Sequence, residues 1–180
     1  MRKVTSGLFV SMDGVVEAPN LWQFDVFDQD MIQAMSEEIS AIDTVLLGRV
    51  TYQEWLPYWP NATEDLGYAD FINKTPKFVF SRTLKEVDWG NAVLVNIPME
   101  EKVRQLKAAP GQNIGVQGSP GLVRSLIENN LLDELTLLIH PVVVGQGKKF
   151  YTDGTALKRF KLLECKTSGS GVVMATYRLS

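Results

Sequence analysis

A chain of 180 residues with 45% apolar and 22% charged residues can build its own core, burying about 70% of its unfolded surface at this size, and its length predicts one domain over residues 1–180. Lys plus Arg number 18 against 21 Asp plus Glu, a near balance that offers no basic field for a nucleic-acid backbone. One cysteine and one histidine exclude a disulfide framework and His-rich zinc chemistry, so no metal site is expected; no apolar run is long enough for a membrane span, and with no leader-like segment the chain reads as cytoplasmic.

In chain order, Val4 to Met12 is apolar and β-prone and stops at the turn dipeptide Asp13-Gly14. Met31, Ile32, Ala34, Met35, Ile39 and Ile42 recur at helical spacing behind Asp28 or Asp30 as N-cap. Thr44 to Leu47, Lys77 to Ser81 and Ala92 to Val95 are short apolar runs of the kind that form strands buried on both faces. Pro98 suits a first helical turn, and Val103 with Leu106 give that helix a face before Pro110-Gly111 ends it. Ile114 to Val116 is another buried strand. Ser119-Pro120 reads as an N-cap and first turn, leading into a helix with Leu122, Val123, Leu126, Ile127 and Leu131 on one face. Leu135 to Val144 is again strand, apolar enough to be covered either internally or by a second copy of the chain. Arg159 to Lys166 and Val172 to Leu179 flank Ser168-Gly169-Ser170-Gly171 as a hairpin, with Cys165 packing inside it as a small hydrophobe. Strand-helix-strand units followed by a hairpin predict a three-layer αβα sandwich, its central sheet mostly parallel with a C-terminal antiparallel edge.

Ligands of such sheets sit at the carboxyl ends of the strands, and three of those ends share a chemistry. They are Gly48-Arg49-Val50-Thr51, Ser81-Arg82-Thr83 and Gln117-Gly118-Ser119-Pro120-Gly121-Leu122. Backbone N–H groups at a helix start, glycines and guanidinium forks all suit phosphate. Each turn taken singly is also ordinary packing, and either arginine also reads as a solvated side chain. Recurrence at three ends is what points to a ligand with several separated phosphates.

The ordered segments Ser11 to Pro19 (SMDGVVEAP), Leu46 to Trp55 (LLGRVTYQEW), Phe78 to Leu84 (FVFSRTL) and Gly115 to Tyr151 resemble the dihydrofolate-reductase-like family. The similarity is closer to its branch related to the C-terminal reductase domain of the riboflavin-biosynthesis deaminase-reductase. That resemblance implies a homodimer that binds NADPH and reduces a small pyrimidine- or pterin-like heterocycle, in the manner of 5-amino-6-(5-phosphoribosylamino)uracil reductase. By position it implies that Gly48, Arg49 and Thr51 meet the cofactor's phosphates, and that Ser81 and Arg82 flank the adenosine ribose and its 2′-phosphate. Gly118, Ser119, Gly121 and Leu122 become the pyrophosphate-binding helix start, and Ser11 to Glu17 a mobile loop over the nicotinamide. Gln117 stands where the riboflavin branch has a substrate-contacting glutamate, a departure that argues against an identical substrate.

Asp13 and Asp25 are the candidate catalytic carboxylates, although Asp13 also reads as a plain Asp-Gly turn and Asp25 as a cap or solvated residue. Trp22 and Phe24, with Gln117, are the candidate substrate-binding residues; Tyr52, Trp55, Tyr58 and Trp59 form a second aromatic group, and aromatics of either set also suit ordinary core. His140 reads as a satisfied structural residue. The rivals to a reductase are a nucleotide-binding or sensing module without turnover on the same fold, and a structural homodimer.

Overall fold

The computed structural model describes residues 1–180. The strands are β1 (Val4–Ser11), β2 (Ile42–Gly48), β3 (Lys77–Phe80), β4 (Ala92–Val95), β5 (Asn113–Val116), β6 (Glu134–His140), β7 (Phe160–Thr167) and β8 (Val173–Leu179). They form one eight-stranded sheet in the order β4-β3-β2-β5-β1-β6-β8-β7. All pairs are parallel except β6–β8 and β8–β7, so the predicted sandwich with its antiparallel hairpin edge is what forms.

The helices are α1 (Gln29–Ser40), α2 (Arg49–Trp55), α3 (Leu66–Lys74), α4 (Met99–Ala108) and α5 (Pro120–Glu128). Val103 of α4 and Leu122, Val123, Leu126 and Ile127 of α5 pack against Val4, Leu8, Leu46, Ile114 and Val116 on one face of the sheet. On the other face Tyr52 of α2 and Tyr68 and Ile72 of α3 meet Val45, Leu47 and Val79, and Met31 of α1 meets Leu138, Val172 and Met174. Successive side chains of β2 thus go to opposite helical layers, which is why Val45, Leu46 and Leu47 are all fully buried. Asp28 caps α1 through its carboxylate, which accepts from the Met31 N–H.

Several readings need correction. β6 ends at His140, not Val144, because Pro141 has no N–H to continue the ladder. Both of its edges are paired within the chain, to β1 and β8; Leu135 and Leu138 are buried, Leu137 and Ile139 are half-buried, and Val143 beyond the strand is exposed. Cys165 lies on the outermost strand and is exposed rather than packed. Helix α3 has no counterpart among the elements read from the sequence; Pro57, Pro60 and Gly67 around it read as turn signals.

Lys77 is 0% exposed and heads β3. Its ammonium donates to the Ile72 and Thr75 carbonyls at 2.7 and 3.0 Å and lies 5.0 Å from the Trp89 ring centroid. It therefore satisfies carbonyls that the end of α3 leaves unpaired, while burial pulls its pKa down to about 8. Lys77→Ala removes the stem and strands those carbonyls together, and is expected to lower stability by about 3 kcal/mol. Urea unfolding at pH 7 checks it; a loss below 1 kcal/mol would show that water takes over the carbonyls.

Candidate active site

The sheet divides at one place. β5 pairs with β1 only from Val4↔Ile114 to Ser6↔Val116, whereas β1 runs on beside β6 as far as Ser11↔His140. Beyond Ser6, then, β1 loses its neighbour on the β5 side. Strands on one side of the gap run β5-β2-β3-β4 and on the other β1-β6-β8-β7, the switch point at which open α/β sheets take their ligands. A cleft of about 2370 Å³ opens there, lined by Gly7, Leu8 and Phe9 of β1 and by the turns after β2, β3 and β5. Single small-molecule pockets measure roughly 300–1,000 Å³. This cleft is long enough for an extended ligand and a second one beside it.

Two of the turns are tied to each other. Gly118 and Ser119 both take left-handed backbone, φ +54° and +53°. A Cβ on Gly118 would stand 3.0 Å from Thr51 Cγ2 and 3.3 Å from Trp55 Cζ2, so the position needs glycine for space as well as for its dihedral. The Ser119 N–H donates to Thr51 Oγ1 at 2.9 Å, and Ser119 Oγ accepts from the Gly48 N–H at 2.8 Å. Ser119 occupies the N-cap position expected of it, yet its side chain does not cap α5. The Gly121 and Leu122 N–H groups at that helix start, both on the cleft, are left to a ligand. The same bonds engage the Gly48 N–H and a lone pair of Thr51 Oγ1 in joining the turns.

Arg49 and Arg82 are exposed residues on the cleft. Arg49 donates to Gln53 within α2 at 2.7 Å. Ser81 Oγ accepts from the Thr83 and Leu84 N–H groups at 3.1 and 2.9 Å, which fixes the turn that carries Arg82. Uncapped N–H groups, a glycine cradle and two guanidinium groups make a donor set that fits a multiply phosphorylated dinucleotide.

The other end of the cleft holds the group that the sequence reading passed over. Glu38 of α1 lines the cleft mostly buried, and burial raises its carboxyl from the ordinary 4.5 to about 7. A Cβ on Gly7 would stand 2.8 Å from Glu38 Oε2, so glycine in mid-strand is what lets the carboxyl lie against β1. Close by, the Tyr68 hydroxyl donates to Gln117 Oε1 at 3.0 Å. Its pKa is raised by burial and then by the negative charges of Glu38 and Asp65. Trp55, Trp59 and Tyr68 pack mutually with ring centroids 4.7 to 6.0 Å apart, and all three line the cleft. A carboxyl that titrates near neutrality beside aromatic walls can pass a proton to a flat ligand.

The carboxylates read from the sequence do other work. Asp13 accepts from Ser11 Oγ at 2.7 Å and from the Val144 and Gly145 N–H groups at 3.1 and 2.9 Å. These bonds hold its pKa down at about 2, the wrong direction for a proton donor, and make it the anchor of a turn completed by Gly14 at φ +86°. Asp25 is exposed and is not among the residues lining the cleft; its charge is felt by His140 instead. Phe24 reaches the cleft, 65% exposed. Trp22 does not: it packs edge-on to His140 at 5.3 Å and donates to the Glu17 carbonyl. The loop expected to be mobile is fastened by Asp13, by the Val15–Lys149 bridge and by the Glu17–Lys148 ion pair at 2.6 Å. His140 Nδ1 donates to the Leu138 carbonyl at 2.9 Å, but its buried Nε2 has no partner, so it is not a fully satisfied residue. No helix is long and apolar enough to cross a membrane, and no group of three or more His, Cys, Asp or Glu is placed to hold a metal ion.

An open, mostly parallel sheet with a cleft at its switch point is the arrangement in which α/β proteins take their ligands. The chain belongs to the RibD C-terminal domain family, whose model matches residues 2–174. The uncharacterized protein YyaP of Bacillus subtilis is 33% identical over 98% of this chain and 94% of its own length. A putative riboflavin biosynthesis protein of Shewanella has the same fold, with a TM-score of 0.81 and 17% identity over 99% of both chains. Dihydrofolate reductase of Enterococcus faecalis, solved with NADP(H), follows at a TM-score of 0.64 and 12% identity, covering 99% of this chain and 96% of that one. Reductases are among the solved proteins that share this fold.

Proposed function

We propose that the protein is an NADPH-dependent reductase of a small planar heterocycle, pyrimidine- or pterin-like. The dinucleotide lies along the turns after β2, β3 and β5, and the acceptor lies beside Glu38. NADPH bound there supplies a hydride from its nicotinamide ring. The chain's own part is to orient and to protonate. The α5 N–H groups and Arg49 receive the pyrophosphate, Arg82 the 2′-phosphate, and the aromatic wall of Trp55, Trp59 and Tyr68 keeps water from the reacting face. Glu38, close to half protonated at neutral pH, holds the proton that the reduced heterocycle takes up.

The observation that carries this reading is the convergence of uncapped helix N–H groups and a neutral-range carboxyl on one cleft at the β5/β1 split. Titration with NADPH, followed by nicotinamide fluorescence, tests it; micromolar binding is expected, and millimolar or absent binding would sink it. Arg82→Ala is expected to weaken NADPH by about tenfold while leaving NADH almost unchanged, since one charge-assisted phosphate contact is worth about 1.4 kcal/mol or more. Equal losses for both nucleotides would show that Arg82 does not read the 2′-phosphate.

A further inference from the structure

Arg124 lies on the second turn of α5, half-buried on the cleft. Its Nη1 donates to the Lys149 and Phe150 carbonyls at 3.2 and 2.9 Å. Both partners are neutral, and no carboxylate forms an ion pair with it. The side chain runs back along the helix, so that Nη2 stands 3.9 Å from where a Cβ on Gly121 would sit. That places the second nitrogen, which bonds nothing in the protein, beside the uncapped N–H groups of Gly121 and Leu122. Elsewhere on the cleft Lys148 is matched by Glu17, and Arg49 is exposed and bonded to Gln53. A half-buried guanidinium held in place without a counter-ion suits a bound anion.

What Nη1 holds is a separate observation. The Val16 N–H donates to the Lys148 carbonyl and the Phe150 N–H to the Gly14 carbonyl, both at 2.9 Å, with Val15 and Lys149 paired as an antiparallel bridge. Residues 14–16 and 148–150 are thus zipped together, and Val16, Glu17 and Lys148 line the cleft. Phe150 packs into the same cluster as Leu122 and Val123 of α5, and the guanidinium ties the zip to that helix through two carbonyls.

We infer that Arg124 is a diphosphate-binding residue that couples the ligand to the loop after β1. Nη2 joins the α5 N–H groups on the diphosphate, while Nη1 keeps the Lys149 and Phe150 carbonyls. The guanidinium is one rigid plane, so an anion on Nη2 fixes the fork that holds the zip, and Gly14 to Glu17 with it. Such coupling is reciprocal: the factor that the ligand adds to loop order, loop order adds to ligand affinity. The inference rests on the dinucleotide reading for the class of ligand; Arg124 and the coupling are its own.

Two ligands separate it from the reductase reading: NADPH, and ADP-ribose, which has the diphosphate but no nicotinamide. Each is titrated calorimetrically into the full chain, and hydrogen exchange of peptides 12–17 and 144–150 is followed with and without ligand, peptide 160–167 of β7 serving as control. In the parent both ligands are expected to bind and to slow exchange in the two loop peptides about tenfold, with β7 unchanged. Arg124→Ala should weaken both ligands about tenfold and abolish the slowing. Arg124→Lys keeps the charge but not the fork, and should recover part of the affinity and none of the slowing. Parent-like affinity in Arg124→Ala overturns the inference even if its ligand-free loop exchanges faster, since Arg124 would then be a strap alone. Slowing that survives both substitutions overturns it too. A parent that binds neither ligand overturns it together with the dinucleotide reading. Coupled binding of ADP-ribose without oxidation of NADPH by any heterocycle removes the reductase reading and supports the role of Arg124.

Discussion

Glu38→Gln is expected to make the protein more stable at pH 8, by up to about 3 kcal/mol, and to leave stability near pH 4.5 unchanged. The native carboxyl titrates at about 7 against an ordinary 4.5. Between those values the folded chain keeps a proton that the unfolded chain releases, so native stability falls as pH rises. Above pH 7 the full penalty of a buried carboxylate applies, about 3 kcal/mol for a gap of that size. Glutamine has the shape of the protonated acid and cannot ionise, so the variant escapes the penalty. Urea unfolding at several pH values between 4.5 and 8 measures the divergence of the two proteins. The same substitution should lower the rate of reduction of any accepted heterocycle by about 100-fold, a modest figure for loss of a general acid, with NADPH affinity unaltered. A stability difference that did not grow with pH would show that Glu38 ionises freely in the native protein, and its role as proton source would go with it.

The contrast between Glu38 and Asp13 shows what can and cannot be read from one dimension. Strand identities were legible because Thr44 to Leu47 and Ile114 to Val116 are runs buried on both faces, and such runs have few other structures open to them; Ala92 to Val95, expected to be alike, forms the edge strand β4 with Val93 exposed. The strand-to-helix turns on the cleft were legible too, since glycine and serine at such a junction report backbone geometry locally. Proton chemistry was not, because desolvation is set by what lies across the sheet. Asp13 follows a strand and looks available, yet residues 144 and 145, distant in sequence, supply the N–H groups that hold it ionised. Glu38 sits inside an amphipathic helix and looks solvated. The signal that could have found it was phase: Met31, Met35 and Glu38 share one helical face, while Ile42, expected on the same helix, opens β2, and a lone acid on an apolar stripe opposite a mid-strand glycine is a functional hint. Sheet order was equally hidden, since the split between β5 and β1 depends on where β5 stops pairing, and nothing in Asn113 to Val116 announces that.

Ser119→Ala and Gly118→Val are expected to separate the two duties of the turn after β5. The alanine variant removes the acceptor of the Gly48 N–H, so a backbone donor in a half-buried turn must find water or go unpaired. That costs about 1–2 kcal/mol of stability. The left-handed backbone at residue 119 is a strained choice for a residue with a Cβ, about 1 kcal/mol each, and it is the pair of bonds to Gly48 and Thr51 that holds it. With one bond gone the uncapped α5 N–H groups lose their fixed aim, and NADPH affinity should drop about tenfold through lost preorganisation rather than lost contact. The valine variant is harsher: a β-branched side chain at φ +54° meets Thr51 and Trp55 directly, so at least a 100-fold loss of NADPH affinity is expected together with about 2–3 kcal/mol of stability. Fluorescence titration and urea unfolding on the same preparations distinguish the cases. If Ser119→Ala lowers stability but binds NADPH as the parent does, the hydroxyl is only a clasp between turns. If Gly118→Val also binds normally, the dinucleotide does not approach this turn, and the orientation of the whole cleft must be redrawn.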